Sequence, residues 1–272
     1  MEPIKFDLSG KTAIVTGAGR GIGKSCALAL AANGANVALT ARSTDEIEAV
    51  TDEIKEMGRK CIAVTADVRK RTDADTVVAK TIEKLGSVDI LVNNAGVYMM
   101  RPLVQDPNWT SAFSEFVPGF EDPFTEEDWD FLSDVNVKGV INFCQAVGPY
   151  MMKQKWGRII NIGSIDAEKG VPFAAHYCAT KGAVKSFTKG LAHEWVRYKI
   201  TVNCVSPGFT STPLAPWVYD DPERAKLTAK AMVPMRRFAS PDEIATPVVY
   251  LASEQASFVT GESIYIDGGY LA

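Results

Sequence analysis

The chain predicts an α/β fold: one doubly wound domain spanning residues 1–272, with a seven-stranded, mostly parallel sheet and helices on both faces. Three observations predict it. Short apolar, β-branched runs alternate with helical patterns along the sequence, and such alternation requires helices packed on a mostly parallel sheet. A glycine-rich turn lies between the first run and the first helix. No linker, repeat or low-complexity stretch divides the 272 residues, a length that one core can serve.

The elements follow in order. Thr12–Thr16 (TAIVT) is a buried strand, and a helix opens at Gly21 and runs to about Asn33. Asn36–Thr40 is the second strand. The next helix starts at Ser43, whose spacing to Glu46 is that of a capping box, and Gly58 ends it. Cys61–Thr65 is a strand, Thr72–Leu85 a helix and Val88–Val92 the fourth strand. Thr125 and Asp128 flank the start of a long helix reaching about Met152. Arg158–Ile162 is a strand, Ala174–Tyr198 a second long helix and Ile200–Val205 a strand. Ser240 caps a helix that Pro241 opens, with Glu243 in its first turn. Ser263–Ile266 is the last strand, and the crossovers are expected to be right-handed. One stretch breaks the rhythm, an inserted loop at about 98–124. It holds Trp109, Phe113, Phe116, Phe120 and Phe124 among four prolines. Long loops in compact domains are often lids, and the aromatic content argues against disorder.

Composition removes several function classes. Hydrophobic residues are 46% and charged residues 23%, a globular balance. The net charge of -4 gives no electrostatic argument for nucleic acid or an anionic membrane. No run of about 18 apolar residues suggests a membrane span. Met1 to Lys11 carries Glu2 and Asp7 and lacks an apolar signal core, so a cytoplasmic location is expected. The five cysteines form no Cys-x-x-Cys pair and lie in apolar or helical runs, so buried free thiols are expected. His176 and His193 are the only histidines and lack ligand-spaced partners, so no metal site is expected.

At the nucleotide end, Gly17, Gly19, Gly21 and Gly23 surround Ala18, Arg20 and Ile22 between the first strand and first helix. Glycines let the backbone turn tightly and approach a pyrophosphate, whose charge the helix N-terminus meets. The set is a variant of the Rossmann-type dinucleotide fingerprint with one wider gap. The end of the second strand decides which dinucleotide binds. An acid there grips the ribose hydroxyls, but this chain has Ala41 and then Arg42. Arg42 and Arg20 can converge on a 2′-phosphate, so NADP(H) is expected, with NAD(H) as the alternative. Arg42 as a plain solvated loop residue is the bland alternative.

At the chemical end, Ser164 leaves the fifth strand, and Tyr177 and Lys181 lie four apart on one helical face. Together with the glycine loop, Asn93-Asn94-Ala95-Gly96 and Pro207-Gly208, these residues resemble the short-chain dehydrogenase/reductase family over about Leu8 to Tyr270. The resemblance implies oxidoreduction at a carbonyl or secondary alcohol. Tyr177 is then the general acid or base, Ser164 the partner of the substrate oxygen, and Lys181 the holder of the nicotinamide ribose that also lowers the tyrosine pKa. Asn136 matches the asparagine that organises a water relay to the lysine. Asp67 matches a residue that bonds adenine, beside Val68. Asn94, Ala95 and Gly96 line the cofactor cleft, as do Pro207, Gly208 and Thr210, while Thr212 matches a contact to the nicotinamide carboxamide. The chemistry is sound in itself. A phenol titrates near ~10, and a shift of about two units requires roughly 3 kcal/mol of differential stabilisation.

The sequence departs from the family after the serine, where Ile165, Asp166, Ala167, Glu168 and Lys169 replace small residues. Asp166 is read either as a substrate-binding group selecting a polar or cationic moiety, or as a surface-loop charge. His176 either touches substrate or is satisfied by backbone. The insert, with Leu214, Trp217, Val218 and Tyr219, suggests an apolar lid over a hydrophobic or cyclic carbonyl. The leading expectation is therefore an NADP-dependent ketone reductase. A 3-oxoacyl thioester reductase, an NAD-dependent alcohol or sugar dehydrogenase and a non-catalytic nucleotide sensor are the alternatives. The family implies a homodimer or homotetramer. Phe143, Val147, Phe187 and Trp195 either meet a second subunit or face the sheet.

Overall fold

The computed structural model describes residues 5–106 and 122–272. Seven strands are found among them: β1 (Thr12–Thr16), β2 (Asn36–Ala41), β3 (Cys61–Thr65), β4 (Ile90–Asn93), β5 (Gly157–Ile162), β6 (Ile200–Pro207) and β7 (Ser263–Ile266). They form one sheet in the order β3-β2-β1-β4-β5-β6-β7. Every neighbouring pair is parallel. The inner strands β1 and β6 are buried throughout, which is why they read as continuous apolar runs rather than alternating ones.

Side chains alternate between two cores. Ala13 and Val15 of β1 point to the layer containing helices α1 (Gly21–Ala32) and α9 (Pro241–Ala252). Ile14 points to the other layer, with α3 (Arg71–Leu85), α5 (Gly139–Gln154) and α6 (Ala175–Trp195). The remaining helices are α2 (Thr44–Glu56), α4 (Glu126–Ser133), α7 (Pro216–Tyr219) and α8 (Pro222–Met232). Strand order reverses at β1, which lies between β2 and β4. Connections leave in opposite directions there and open a crevice at the carboxyl ends, the place where such sheets bind ligands.

Capping boxes form at Thr125 with Asp128 and at Ser240 with Glu243, where the sequence places helix starts. The one expected of Ser43 and Glu46 does not form: Ser43 makes no side-chain cap bond, and Glu46 is turned toward Gly19 and stands 3.7 Å from the Arg20 guanidinium. The helix expected to run unbroken from Thr125 to Met152 is also interrupted, by a π-helical turn at Asp134–Lys138. Such wide turns often occur at functional sites, and this one carries Asn136.

Phe143 and Val147 are fully buried within the subunit and Trp195 packs on the same core, so these three face the sheet, while Phe187 packs on that core and stays half-buried. All five cysteines are free, and four are buried, but Cys178 is half-exposed. Among the described residues no helix is long and apolar enough to cross a membrane. Trp109, Phe113, Phe116 and Phe120 of the expected lid lie outside the described residues, as does the Trp217 side chain. The described ends of the insert are tied down: the Phe124 N–H donates to the Pro102 carbonyl at 2.8 Å, and the Arg101 N–H to that of Phe173 at 2.8 Å.

Phe143 is among the largest side chains with no exposure at all. Phe143→Ala is expected to lower unfolding stability by about 3–5 kcal/mol, measured by urea denaturation.

Candidate active site

The glycine loop is fixed by close approach. Gly17 has φ 63, and a Cβ on it would stand 2.9 Å from the Ala95 Cα. A Cβ on Gly23 would fall 2.2 Å from the Gly17 carbonyl oxygen. Only glycine allows α1 to start this near the strand ends. Thr16, legible in the sequence only as a strand end, ties the crevice together. Its hydroxyl oxygen accepts the Asn94 and Ala95 N–H groups, each at 3.0 Å. The Asn94 amide in turn donates to the Thr16 and Gly17 carbonyls.

Opposite this loop, Gly96 faces two of the predicted catalytic groups. A Cβ there would meet the Asn136 Oδ1 at 3.4 Å and the Lys181 Nζ at 3.6 Å. The Asn136 side chain both accepts from the Val97 N–H and donates to the Val97 carbonyl, and it also reaches the Thr180 hydroxyl. The π-helical turn thus clamps the strand extension after β4. Gly21, with φ 53, looks across at Thr212, whose Cγ2 is 3.5 Å from the position of a Gly21 Cβ. A bare glycine surface on one wall, with an ammonium and a threonine facing it, fits an extended dinucleotide.

Not every predicted contact is made by a side chain. Ile22 packs on the α1–α9 core and Val68 on the other, so each offers the cleft only backbone. Both carboxylate oxygens of Asp67 are taken by the Arg69 guanidinium, at 2.6 to 3.0 Å. That bond holds the Asp67 carboxyl below the usual range, with Arg42 a further influence. Arg42 itself is exposed at the end of β2. Gly208 is required where β6 meets the end of β7, since a Cβ would stand 2.8 Å from the Asp267 Cα. Beside it, Pro207 ends β6 and the Thr210 hydroxyl donates to the Gly208 carbonyl.

At the chemical end, β5 delivers Ser164 and α6 delivers Tyr177 and Lys181, all nearly buried. The Lys181 Nζ donates to the Ile162 carbonyl at 2.9 Å and lies 5.7 Å from the Tyr177 ring centre. Burial brings the Lys181 amine down to about 8. The phenol moves opposite to the lowering expected of Lys181. Burial raises the Tyr177 pKa, the Asp166 carboxylate adds to the rise, and a hydrogen bond with Ser164 opposes it. The physical reason is desolvation, which penalises both charged forms, while the lysine is drawn to a strand carbonyl.

Asp166 lies inside this group and is not a surface charge. Its N–H donates to the Ser164 Oγ at 3.1 Å, and burial raises its carboxyl to about 6 against the pull of Lys181 and of a Ser164 hydrogen bond. His176 meets backbone through one ring nitrogen, with Nε2 3.0 Å from the Met99 carbonyl, and its ring stacks on Phe124 at 3.9 Å, while Nδ1 is buried with no hydrogen-bond partner among the described residues. Two further aromatic residues belong to the site. Tyr98 packs edge-on against Tyr177, with ring centres 4.7 Å apart; its only sequence signal is an aromatic ring two residues past Gly96. Tyr219 is pushed by burial up to about 12 and feels the Asp166 charge.

Comparison with known proteins agrees with this geometry. Residues 17–271 match the family described as Enoyl-(Acyl carrier protein) reductase. The chain is 39% identical over 260 residues to a 3-oxoacyl-[acyl-carrier-protein] reductase of Staphylococcus epidermidis, covering 95% of this chain and 98% of that one. A short-chain type dehydrogenase/reductase from Mycobacterium marinum superposes with a TM-score of 0.85 at 35% identity, covering 97% of both chains. A gluconate 5-dehydrogenase from Burkholderia cenocepacia, solved with NADP and tartrate, does so with a TM-score of 0.86 at 33% identity, covering 98% of this chain and 97% of that one.

The raised Asp166 carboxyl has a consequence for stability. A buried acid whose pKa rises on folding stabilises the native state only while protonated, so stability falls as pH climbs from the unfolded value through about 6. Asp166→Asn is expected to raise the melting temperature by about 2–6 °C at pH 8 and to lose that advantage below pH ~4, as read by calorimetry across pH.

Proposed function

The chain belongs to the short-chain dehydrogenase/reductase family, and on that footing we propose that it is an NADP(H)-dependent oxidoreductase interconverting a small or medium ketone and its secondary alcohol. The observation that carries this reading is the meeting of Ser164, Tyr177 and Lys181 beside the glycine-walled crevice, with the Lys181 amine facing Gly96. The bound nicotinamide supplies or accepts the hydride. The protein's own residues handle the proton and the alignment.

Tyr177 donates its phenolic proton to the carbonyl oxygen in reduction and takes it back in oxidation. Ser164 holds that same oxygen by its hydroxyl. Lys181 holds ribose hydroxyls, and Asn136, which fixes Val97, keeps the Gly96 wall at the right distance. Burial places Tyr177 on the side of the neutral phenol, which suits a proton donor waiting for a carbonyl. Gly17, Gly19, Gly21 and Gly23 with the start of α1 receive the pyrophosphate. Asp67 and Val68 flank the adenine position, and Thr212 with Pro207, Gly208 and Thr210 borders the nicotinamide. Arg42 selects the 2′-phosphate. The NADP in the Burkholderia neighbour supports that preference.

A second reading, reduction of a 3-oxoacyl thioester, is favoured by the Staphylococcus relative, which carries that name. A sugar-acid alcohol is favoured in the same way by the gluconate 5-dehydrogenase neighbour. A panel of cyclic ketones, 3-oxoacyl thioesters and sugar acids, assayed with NADPH or NADP, separates the three; turnover confined to the thioesters would sink the leading reading.

Two variants test the assignments. Tyr177→Phe keeps the ring and loses the proton, and is expected to lower kcat by about 10²–10⁴-fold with binding of NADPH, followed by fluorescence, little changed. Arg42→Asp places an acid where the 2′-phosphate is expected, and should move the NADPH-to-NADH ratio of kcat/KM by at least about tenfold toward NADH, the worth of one charge-assisted hydrogen bond. An unchanged ratio refutes the role given to Arg42.

A further inference from the structure

Gly19 differs from the other glycines of its loop. Gly17 and Gly21 have positive φ, and Gly23 packs against the Gly17 carbonyl. Gly19 has no left-handed backbone, and the three atoms nearest to a Cβ placed on it all belong to Glu46. The Glu46 Cβ would stand 2.7 Å from it and Oε2 2.8 Å. The missing side chain at Gly19 is therefore a seat for Glu46, which reaches it from the first turn of α2. From that seat Oε1 stands 3.7 Å from the Arg20 guanidinium, a looser approach than the 2.8 Å between Lys24 and Glu53 further along α1 and α2. Among the described residues no hydrogen bond is donated to the Glu46 carboxylate, since the capping box with Ser43 is not made, and its acceptor sites stay unfilled.

Two elements border the place expected for the adenosine ribose and its 2′-phosphate, the glycine loop and the turn from β2 into α2. Arg20 belongs to the first and Arg42 to the second, and Glu46 is the side chain that crosses between them. Two guanidinium groups can grip a dianionic phosphate together. An acid set beside one of them cancels half of that positive charge.

We propose that Glu46 is a specificity-determining residue of the dinucleotide site: seated on Gly19, it neutralises Arg20, weakens the grip on a 2′-phosphate and lets the chain accept NAD(H) beside NADP(H). This rests on the preference given to Arg42 above, which Glu46 moderates. The acid that would hold ribose hydroxyls is missing from the end of β2, where Ala41 stands. Glu46 supplies one from α2 instead. The device is a balance and not a block. Arg20 and Glu46 are 66% and 39% exposed, and such a pair opens at little cost. Arg20 can then turn to an arriving phosphate, but the carboxylate stays within a few ångströms and repels it.

Calorimetric titration of NADP and NAD, and of adenosine 2′,5′-bisphosphate and AMP, into the parent and Glu46→Gln tests this. The second pair lacks nicotinamide, so its ratio reads the adenosine end alone. In Glu46→Gln the preference for the 2′-phosphorylated member of each pair is expected to rise by about fivefold to tenfold, through tighter binding of that member. That is the scale of one unit charge a few ångströms from a dianion at a surface. The rise should shrink in about 1 M salt, where the screening length is about 3 Å. Glu46→Lys should move both ratios further the same way. A damaged fold cannot imitate a gain in affinity. If Glu46 serves only the start of α2, Glu46→Gln lowers the melting temperature and leaves both ratios unchanged, which overturns the inference. Where Arg42→Asp still moves the ratio, this inference falls alone; where neither variant moves it, the NADP(H) preference falls too.

Discussion

The site depends on one interaction, the tie between the carboxyl ends of β1 and β4. The two strands lie side by side, but their connections diverge, and without a cross-link their ends could splay. Thr16 and Asn94 supply the link through a hydroxyl that accepts two N–H groups and an amide that donates to two carbonyls. These partners are half-buried to buried, where an unmade hydrogen bond costs about 1–3 kcal/mol, so the network closes as a unit. Everything beyond it inherits its position. The glycine loop is set against Ala95 on one side of the link. Gly96 and Val97, held in turn by Asn136, continue on the other.

The chemical end is governed by desolvation more than by neighbouring charges. Tyr177 and Lys181 are each only 5% exposed, and burial is the largest influence on both. The first disfavours the phenolate and the second the ammonium. Burial therefore keeps the phenol neutral and brings the Lys181 ammonium down only to about 8, which is opposite to the simple expectation of a cation acidifying a phenol. A positive charge arriving in the cleft has a larger effect on such a pair than on one already solvated, because a low-dielectric surround strengthens each interaction.

What the sequence made legible was whatever rests on spacing. The order of the strands, the helix starts at Thr125 and Ser240, and the close grouping of Ser164, Tyr177 and Lys181 all follow from local pattern, whereas the short helices Pro216–Tyr219 and Pro222–Met232 do not. What escaped it depends on which way a side chain turns. Ser43 and Glu46 have the spacing of a cap, but Glu46 finds Gly19 and Arg20, residues brought near only by the fold. The π-helical turn at Asp134–Lys138 has no periodic signature, since one widened turn barely shifts an apolar stripe. Tyr98 looked like the first residue of an irregular loop and is instead a wall against Tyr177. Asp166 was ambiguous because burial, which decides its character, is not a property of a sequence neighbourhood.

The two ends of the crevice differ in how firmly they are set, and that difference follows from burial. At the adenosine end Arg20 pairs with Glu46 at 66% and 39% side-chain exposure, while Arg69 holds the more sheltered Asp67 at 36% and 15%. An exposed pair such as Arg20 with Glu46 is worth roughly 0–1 kcal/mol, so opening it for a phosphate costs little. At the chemical end the groups are buried, and Ser164 and Lys181 are bonded to backbone, so a shift of one breaks bonds that water cannot replace. A crevice built this way can exchange its dinucleotide preference through one or two surface residues. Its catalytic geometry, by contrast, can change only with the packing of β5 and α6.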